Sequence, residues 1–350
     1  MPYEYERIVT PSSGLRLHLN ENTAGCSPRV IEALRTLTRE DAACYPDYDA
    51  TVDACARRLN VAPDRLLLTN GLDEGVLTCS VAALRTRDVH APEAIVIVPA
   101  FDMYPACAEA AGGRVVEIRC GPDFEFPLES VLDAITPSTR IIYLTTPNNP
   151  TGRRIPRDAI LRIASAARDA LLLVDEAYVD FGGESLVGTD WFPDKTRNVI
   201  VGRTFAKAYG LAGIRAGALI AHPDTLTPIR RVVPPYSLNV FASVALRAAV
   251  ADPDYYTWYL AQVRTSKEML YAVFDRYRVR YWKSEANFVL ADFGSRATHI
   301  VEGLSARQIF VRDKSRDPSC PGCVRITAGV VEHTHRCISA LEEVLCDVAS

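Results

Sequence analysis

Seven short apolar runs, separated for the most part by stretches of helical period, constrain this chain more than any other feature. They fall at residues 65–69, 94–98, 115–118, 140–145, 170–174, 198–203 and 216–221. Each is continuously apolar rather than alternating, the pattern of a strand buried on both faces. Between them, segments such as 102–111 and 157–169 carry helical patterning. Alternation of this kind predicts an α/β fold with a mostly parallel seven-stranded sheet between helices. Ligands of such sheets bind at the carboxyl ends of the strands.

After Val232-Val-Pro-Pro235 the pattern changes. A long helical stretch spans about 240–276 and contains a breaker at Asp252-Pro253. Strands near 279–282, 287–291, 309–312 and 324–327 follow, then a final helix at 332–348. This succession predicts a smaller α+β domain. A length of 350 residues suits one large domain plus a smaller one. The expected division is a large domain at 41–238 and a small C-terminal domain at 239–350, with residues 1–40 forming an arm and part of the small domain.

Composition removes several classes of function. The net charge of −4 speaks against a basic nucleic-acid-binding face. No run approaches the ~18 apolar residues of a membrane span. The first sixteen residues include Glu4 and Glu6 and lack an apolar core, so they do not read as a signal peptide, and a cytoplasmic protein is expected. Ten scattered cysteines are then expected as thiols. Cys320-Pro-Gly-Cys323 has redox or zinc spacing, yet His333 and His335 nearby do not complete a ligand set, and no metal is expected. Only five of the 39 basic residues are lysines: 195, 207, 267, 283 and 314. A lysine kept among so many arginines can serve where a group must lose its proton and act as a nucleophile.

Four blocks carry chemistry. Arg203-Thr-Phe-Ala-Lys-Ala-Tyr-Gly-Leu-Ala-Gly-Ile-Arg215 places Lys207 just past an apolar strand, between Ala206 and Ala208, where an apolar setting favours the neutral amine. Such an amine condenses with an aldehyde. Thr204 and Arg215 suit a phosphate. Read alone, the block is equally a strand-to-helix connection with one snorkelling lysine. Leu171-Leu-Leu-Val-Asp-Glu-Ala-Tyr178 sets Asp175 at the end of a buried strand, where a carboxylate can pair with a pyridinium nitrogen. The plainer reading of an isolated aspartate there is a helix N-cap. Thr145-Thr-Pro-Asn-Asn-Pro-Thr-Gly152 is turn-rich and offers Asn149 as a donor to a phenolate oxygen; by itself it is a loop. Leu67-Leu-Thr-Asn-Gly-Leu-Asp-Glu74 reads as strand, glycine, helix start, a place where exposed N–H groups favour phosphate. Many α/β crossovers share that last pattern.

In their order and spacing the four blocks closely resemble the fold-type I pyridoxal-phosphate aminotransferases, and within them the histidinol-phosphate aminotransferase group. The resemblance runs from Leu19-Asn-Glu-Asn22 and Ser27-Pro28 through Tyr45-Pro-Asp47 to Val311-Arg-Asp313 and Arg325-Ile-Thr327. It implies pyridoxal 5′-phosphate as cofactor, with Lys207 as the Schiff-base and proton-shuttling residue. Asp175 would partner the pyridine nitrogen, Tyr178 and Asn149 the ring hydroxyl, and Phe101 would stack on the ring. Backbone at Leu72 and Asp73, with Thr204, Arg215 and a neighbouring subunit's Tyr45, would hold the phosphate of a homodimer's cofactor. Arg325 would bind the acidic group of a small-molecule substrate, with Arg312 as a second anion contact; Asn22, Tyr3 and Tyr236 are also expected at the substrate.

Two departures from the family stand out. Ala206 replaces the serine that commonly precedes the lysine, a loss of about 1–3 kcal/mol for one bond to a charged acceptor. The N-terminal arm lacks the Pro-Gly-Lys that often follows the tyrosine equivalent to Tyr3. The implied activity is amino transfer between an L-amino acid or an amino phosphate, such as histidinol phosphate, and 2-oxoglutarate. The alternatives are an aminotransferase of a specialised biosynthetic pathway, a decarboxylase of the threonine-phosphate type, and a non-catalytic cofactor-binding module.

Overall fold

The computed structural model describes residues 11–347 apart from 87 and 191. Its strands are β1 Leu15–Leu17, β2 Leu66–Thr69, β3 Glu93–Val98, β4 Arg114–Arg119, β5 Thr139–Thr145, β6 Leu171–Asp175, β7 Val199–Thr204, β8 Gly217–Ile220, β9 Arg280–Trp282, β10 Phe288–Asp292, β11 Ile309–Asp313 and β12 Cys323–Thr327. Seven of them form one sheet in the order β2-β8-β7-β6-β5-β3-β4. Strand β8 runs antiparallel to both its neighbours, and the remaining pairs are parallel.

Side chains on a strand point alternately to the two faces of the sheet, so an unbroken apolar run supplies two cores at once. Ile142, Leu144, Leu172 and Val174 pack on one face with Ile160 and Ile163 of the helix Arg157–Ala166 and Ala56 of the helix Asp49–Leu59. Ile141, Tyr143, Leu173 and Leu219 pack on the other with Val76 of the helix Gly71–Leu84 and Ala108 of the helix Met103–Ala110. The continuous character of the runs thus has its cause in helices on both sides.

The second sheet has the order β1-β11-β12-β10-β9. It is antiparallel except where β1 joins β11 in parallel, with Leu15 opposite Ile309 and Leu17 opposite Val311. One face, including Leu17, Val289, Val311 and Ile326, packs on the helices Pro253–Arg276, Ala297–Ala306 and Val331–Asp347. By the same alternation Arg312, Arg325, Thr327 and Phe288 lie on the opposite face.

The stretch 240–276 is two helices, Val240–Val250 and Pro253–Arg276, broken where the Asp252 side chain caps the second by accepting the Tyr255 N–H. The first buries Ala242, Ala245 and Leu246 in the larger core. Packing therefore groups residues 240–250 with the first sheet, beyond the division expected at 238. Lys267 joins the two bodies: its ammonium donates to the Ser284 carbonyl at 2.7 Å and the Phe181 carbonyl at 3.3 Å.

Leu172 is fully buried on β6, the strand whose last residue is Asp175. Leu172→Ala is expected to cost about 2–5 kcal/mol of stability, read as a lower urea midpoint with an unchanged slope.

Candidate active site

In a parallel sheet every strand delivers its last residues to the same edge. Here Thr145, Asp175 and Gly202 are in register across β5, β6 and β7, and Thr204 and Thr69 both oppose Gly217 of the reversed β8. The segments that follow β2, β3, β5, β6 and β7, and the one that precedes β8, therefore meet along one edge. They carry Leu72 and Asp73, Phe101, Asn149, Tyr178, Lys207 and Arg215.

Close approach at this edge depends on glycine. A Cβ at Gly217 would stand 2.6 Å from the Leu72 nitrogen, and one at Gly202 2.8 Å from Leu72 Cδ1. Gly71 itself has φ +75°, and its added Cβ would fall 2.5 Å from Arg215 Nη2. The first turn of Gly71–Leu84 is thus pressed against the sheet and against the Arg215 guanidinium. Arg215 Nη2 donates to Asp73 Oδ2 at 2.7 Å, and the Thr204 hydroxyl accepts the Ala206 N–H at 3.1 Å. Backbone N–H groups at a helix start, a hydroxyl and a tethered guanidinium form a cradle for a phosphate-sized anion.

Asp175 is not a helix cap. It ends β6, and a single 3-10 turn, Val179–Phe181, follows. Its Oδ1 accepts the Ala177 N–H at 2.8 Å and its Oδ2 accepts the Tyr104 hydroxyl at 2.7 Å. Both donors are neutral, so neither cancels the charge. Burial pushes the carboxyl up to about 6, against the pull of those two bonds, and the charges of Asp73 and Glu176 add to the rise. Glu176 points elsewhere, held by Arg203 at 3.3 Å, the Ser185 hydroxyl and the Leu186 N–H, both at 2.7 Å.

Lys207 Nζ lies 5.7 Å from the centre of the Tyr178 ring and donates to the Leu19 carbonyl at 3.0 Å. The Tyr178 hydroxyl accepts from Asn20 Nδ2 at 3.1 Å, and Asn22 Nδ2 donates to the Ala208 carbonyl at 3.1 Å. The N-terminal segment thus lines the lysine. From the second sheet Arg325 donates through Nη1 to Asn149 Oδ1 and through Nη2 to the His18 carbonyl, the latter at 2.6 Å. Burial lowers this guanidinium to about 10. Arg312 is its register partner on β11.

Phe101 meets Tyr104 edge-on with ring centres 5.8 Å apart. Tyr45 and Tyr236 stand apart from this constellation, stacked on each other at 4.2 Å and exposed by 79% and 54%. Tyr3 lies outside the described residues. Cys320 and Cys323 are buried beside Leu290, and among the described residues no cluster of His, Cys, Asp and Glu could hold a metal ion. No described helix is long and apolar enough to cross a membrane.

Four residues of the site escape a reading of motifs alone. Tyr104 and Thr145 build the contact to Asp175, and Asn20 reaches Tyr178. His18 is buried with both ring nitrogens unpartnered among the described residues. Desolvation lowers its pKa, Glu21 opposes that, and Arg16, Arg312 and Arg325 add to it. Asn20 and Thr145 fall inside the Leu19–Asn22 and Thr145–Gly152 blocks without being singled out there; Tyr104 and His18 lie outside the quoted blocks.

The family model for aminotransferase class I and II matches residues 12–341. The chain belongs to that family. Its relatives include the histidinol-phosphate aminotransferase of Anoxybacillus flavithermus, 34% identical over 98% of this chain and 91% of the relative. That of Lactiplantibacillus plantarum is 32% identical over 94% and 91%. Among solved structures, histidinol-phosphate aminotransferase from Sinorhizobium meliloti in complex with pyridoxal-5′-phosphate superposes with a TM-score of 0.84. It is 29% identical, over 96% of this chain and 91% of that one.

In this aminotransferase the raised pKa of Asp175 has a consequence for the cofactor-free protein. A folded-state value of about 6 against an ordinary 3.8 means that the folded chain holds the proton more tightly than the unfolded one. The resulting stabilisation is complete below pH 3.8 and is lost as pH rises through about 6. Asp175→Asn should therefore stabilise the cofactor-free protein at pH 7.5 by on the order of 3 kcal/mol, and by almost nothing near pH 4. Urea unfolding at the two pH values measures the difference.

Proposed function

We propose that this enzyme transfers an amino group from histidinol phosphate, or a closely similar amino phosphate or L-amino acid, to 2-oxoglutarate. The observation that carries the reading is the convergence of Lys207, the buried Asp175 and a phosphate cradle at one sheet edge, with Arg325 facing them from the other sheet. The residues present fit pyridoxal 5′-phosphate, the cofactor of this aminotransferase. Asp175 is a buried carboxylate met only by neutral donors, a placement that suits the N–H⁺ of a pyridine ring. Bound there, the cofactor supplies an aldehyde that exchanges amines and a ring that draws electrons from the bond broken at the substrate carbon.

The chain's own residues do the rest. Lys207 Nζ would hold the cofactor and, as a free amine, would take and return the proton at the substrate carbon. Asp175, whose ionised form a cationic ring nitrogen would favour, would keep that nitrogen protonated and stabilise the charge that develops during proton transfer. Asn149 accepts from Arg325 with its Oδ1, which leaves its Nδ2 to donate to a ring hydroxyl, a contact Tyr178 would share. Leu72 and Asp73 backbone, Thr204 and Arg215 would hold the phosphate, and Phe101 would stack on the ring. Arg325 and Arg312 orient the anionic group of each substrate, with Asn22 beside them and Tyr236 contributing to the pocket of the neighbouring subunit.

The assembly proposed is a cytoplasmic homodimer in which Tyr45 reaches the partner's cofactor phosphate. Two features support it. Ile31, Tyr45, Leu77, Tyr236, Phe241 and Trp258 are large apolar side chains left exposed. The cysteines are free thiols, as in a reducing compartment.

Purified enzyme should show a visible cofactor band that bleaches with histidinol phosphate and returns with 2-oxoglutarate. Lys207→Ala should lose that band and at least 10²–10⁴-fold in turnover. Bleaching by other amino donors but not histidinol phosphate would refute the substrate, and stoichiometric carbon dioxide release would refute amino transfer. For the dimer, Tyr45→Ala should weaken cofactor binding, and mixing it with Lys207→Ala subunits should restore tight binding at half the sites. No recovery on mixing would show that Tyr45 acts within its own subunit or not at all.

A further inference from the structure

Tyr104 carries no role in the reading above, yet it is the side chain in closest contact with Asp175. It sits on the helix Met103–Ala110 and is 1% exposed. Its hydroxyl donates to Asp175 Oδ2 at 2.7 Å and accepts from the Thr145 hydroxyl at 2.8 Å. A phenol has one proton to give. Because the ionised carboxylate can only accept, that proton is committed to Asp175, and Thr145 must be the donor in the other bond. The direction of the whole chain, Thr145 to Tyr104 to Asp175, is therefore fixed by chemistry. The ring is fixed as well: it stacks on Tyr143 with centres 5.1 Å apart, and the Tyr143 hydroxyl is bound to Ser80 at 2.7 Å.

We propose that Tyr104 is a positioning residue of the cofactor site, holding the Asp175 carboxylate ionised and turned toward the cofactor's ring nitrogen. The inference rests on the cofactor reading given above. Its physical basis is a conflict at Asp175. Burial and the charges of Asp73 and Glu176 work against ionisation, while among the described residues the contacts that oppose them are the Tyr104 hydroxyl and the Ala177 N–H. The Ala177 bond comes from the neighbouring backbone and survives any side-chain change. Tyr104 is thus the adjustable part of the balance. Its own proton is secure, because burial and the adjacent Asp175 charge both disfavour the phenolate, with Tyr178 adding slightly. Thr145 and Asp175 are paired across β5 and β6, so the hydroxyl bridges two strand ends at a fixed spacing.

The test follows cofactor affinity against pH in protein stripped of cofactor and titrated with pyridoxal 5′-phosphate. Wild-type affinity should fall as pH drops through about 6, where Asp175 takes up a proton. Tyr104→Phe removes one hydrogen bond to a charged acceptor, so the midpoint should move upward by about one pH unit, with about fivefold weaker binding at pH 6 and about tenfold below pH 5. Thr145→Val leaves Tyr104 in place but frees its hydroxyl, and should move the midpoint the same way by less. The cofactor's own titrations are common to all the proteins compared. An unmoved midpoint in folded Tyr104→Phe would overturn the proposal; should that variant fail to fold, an unmoved midpoint in Thr145→Val would do so. Asp175→Asn is the separate control. If it leaves affinity and its pH dependence intact, the cofactor reading itself fails, whatever Tyr104 does.

Discussion

A carboxylate buried at the end of an otherwise apolar strand is costly unless something pairs with its charge, and Asp175 sets that condition for the whole site. The strand cannot be moved outward to relieve it, because Leu172, Leu173 and Val174 are locked between helices on both faces of the sheet. Nor is Arg203 free to help; it is paired with Glu176 and Asp180. What remains is a position where a cationic ring is welcome and water is not. With the cofactor placed as proposed, stability of the fold and affinity for the cofactor would be opposed at this one residue, and binding would resolve the opposition.

The second sheet completes the site through a small number of polar contacts. Arg325 reaches Asn149, Lys267 reaches the Phe181 carbonyl, and the segment 18–22 threads between the two bodies, offering Asn20 to Tyr178 and the Leu19 carbonyl to Lys207. Apolar packing holds each body together, while directional bonds govern how they meet. Such contacts specify geometry more than they stabilise, since each contributes about 0.5–1.5 kcal/mol net.

Much of this architecture is written in local pattern. The inner runs of the first sheet are apolar because both of their faces are covered, whereas the edge strand β4 has no buried residue; the residues that end or follow those runs, Asp175 and Lys207 among them, inherit their position from the strand before them. The strand Leu15–Leu17 is different. Leu15-Arg-Leu17 alternates apolar and polar, but three residues are too short a run to assign, and they become a strand by pairing with 309–311. The same distinction separates Lys207 from Tyr104. The lysine belongs to a motif contiguous in the chain, whereas Tyr104 acquires its meaning from Thr145 and Asp175, on two other elements. His18 is invisible for the same reason. The helix Val240–Val250 illustrates the converse, since the change of pattern at 232–235 precedes the change of packing by a whole helix.

The pairing of β1 with β11 also orders events in time. The first sheet is complete once residue 220 has been made, whereas β1, made first of all its strands, must wait for 309–311. Closing so long a loop is entropically expensive and slow. Leu19, Asn20 and Asn22 are tethered to that strand, so the wall beside Lys207 is built only after the C-terminal body has assembled. A nascent or truncated chain can thus own a finished sheet and every residue of the phosphate cradle, and still present an open, unlined lysine.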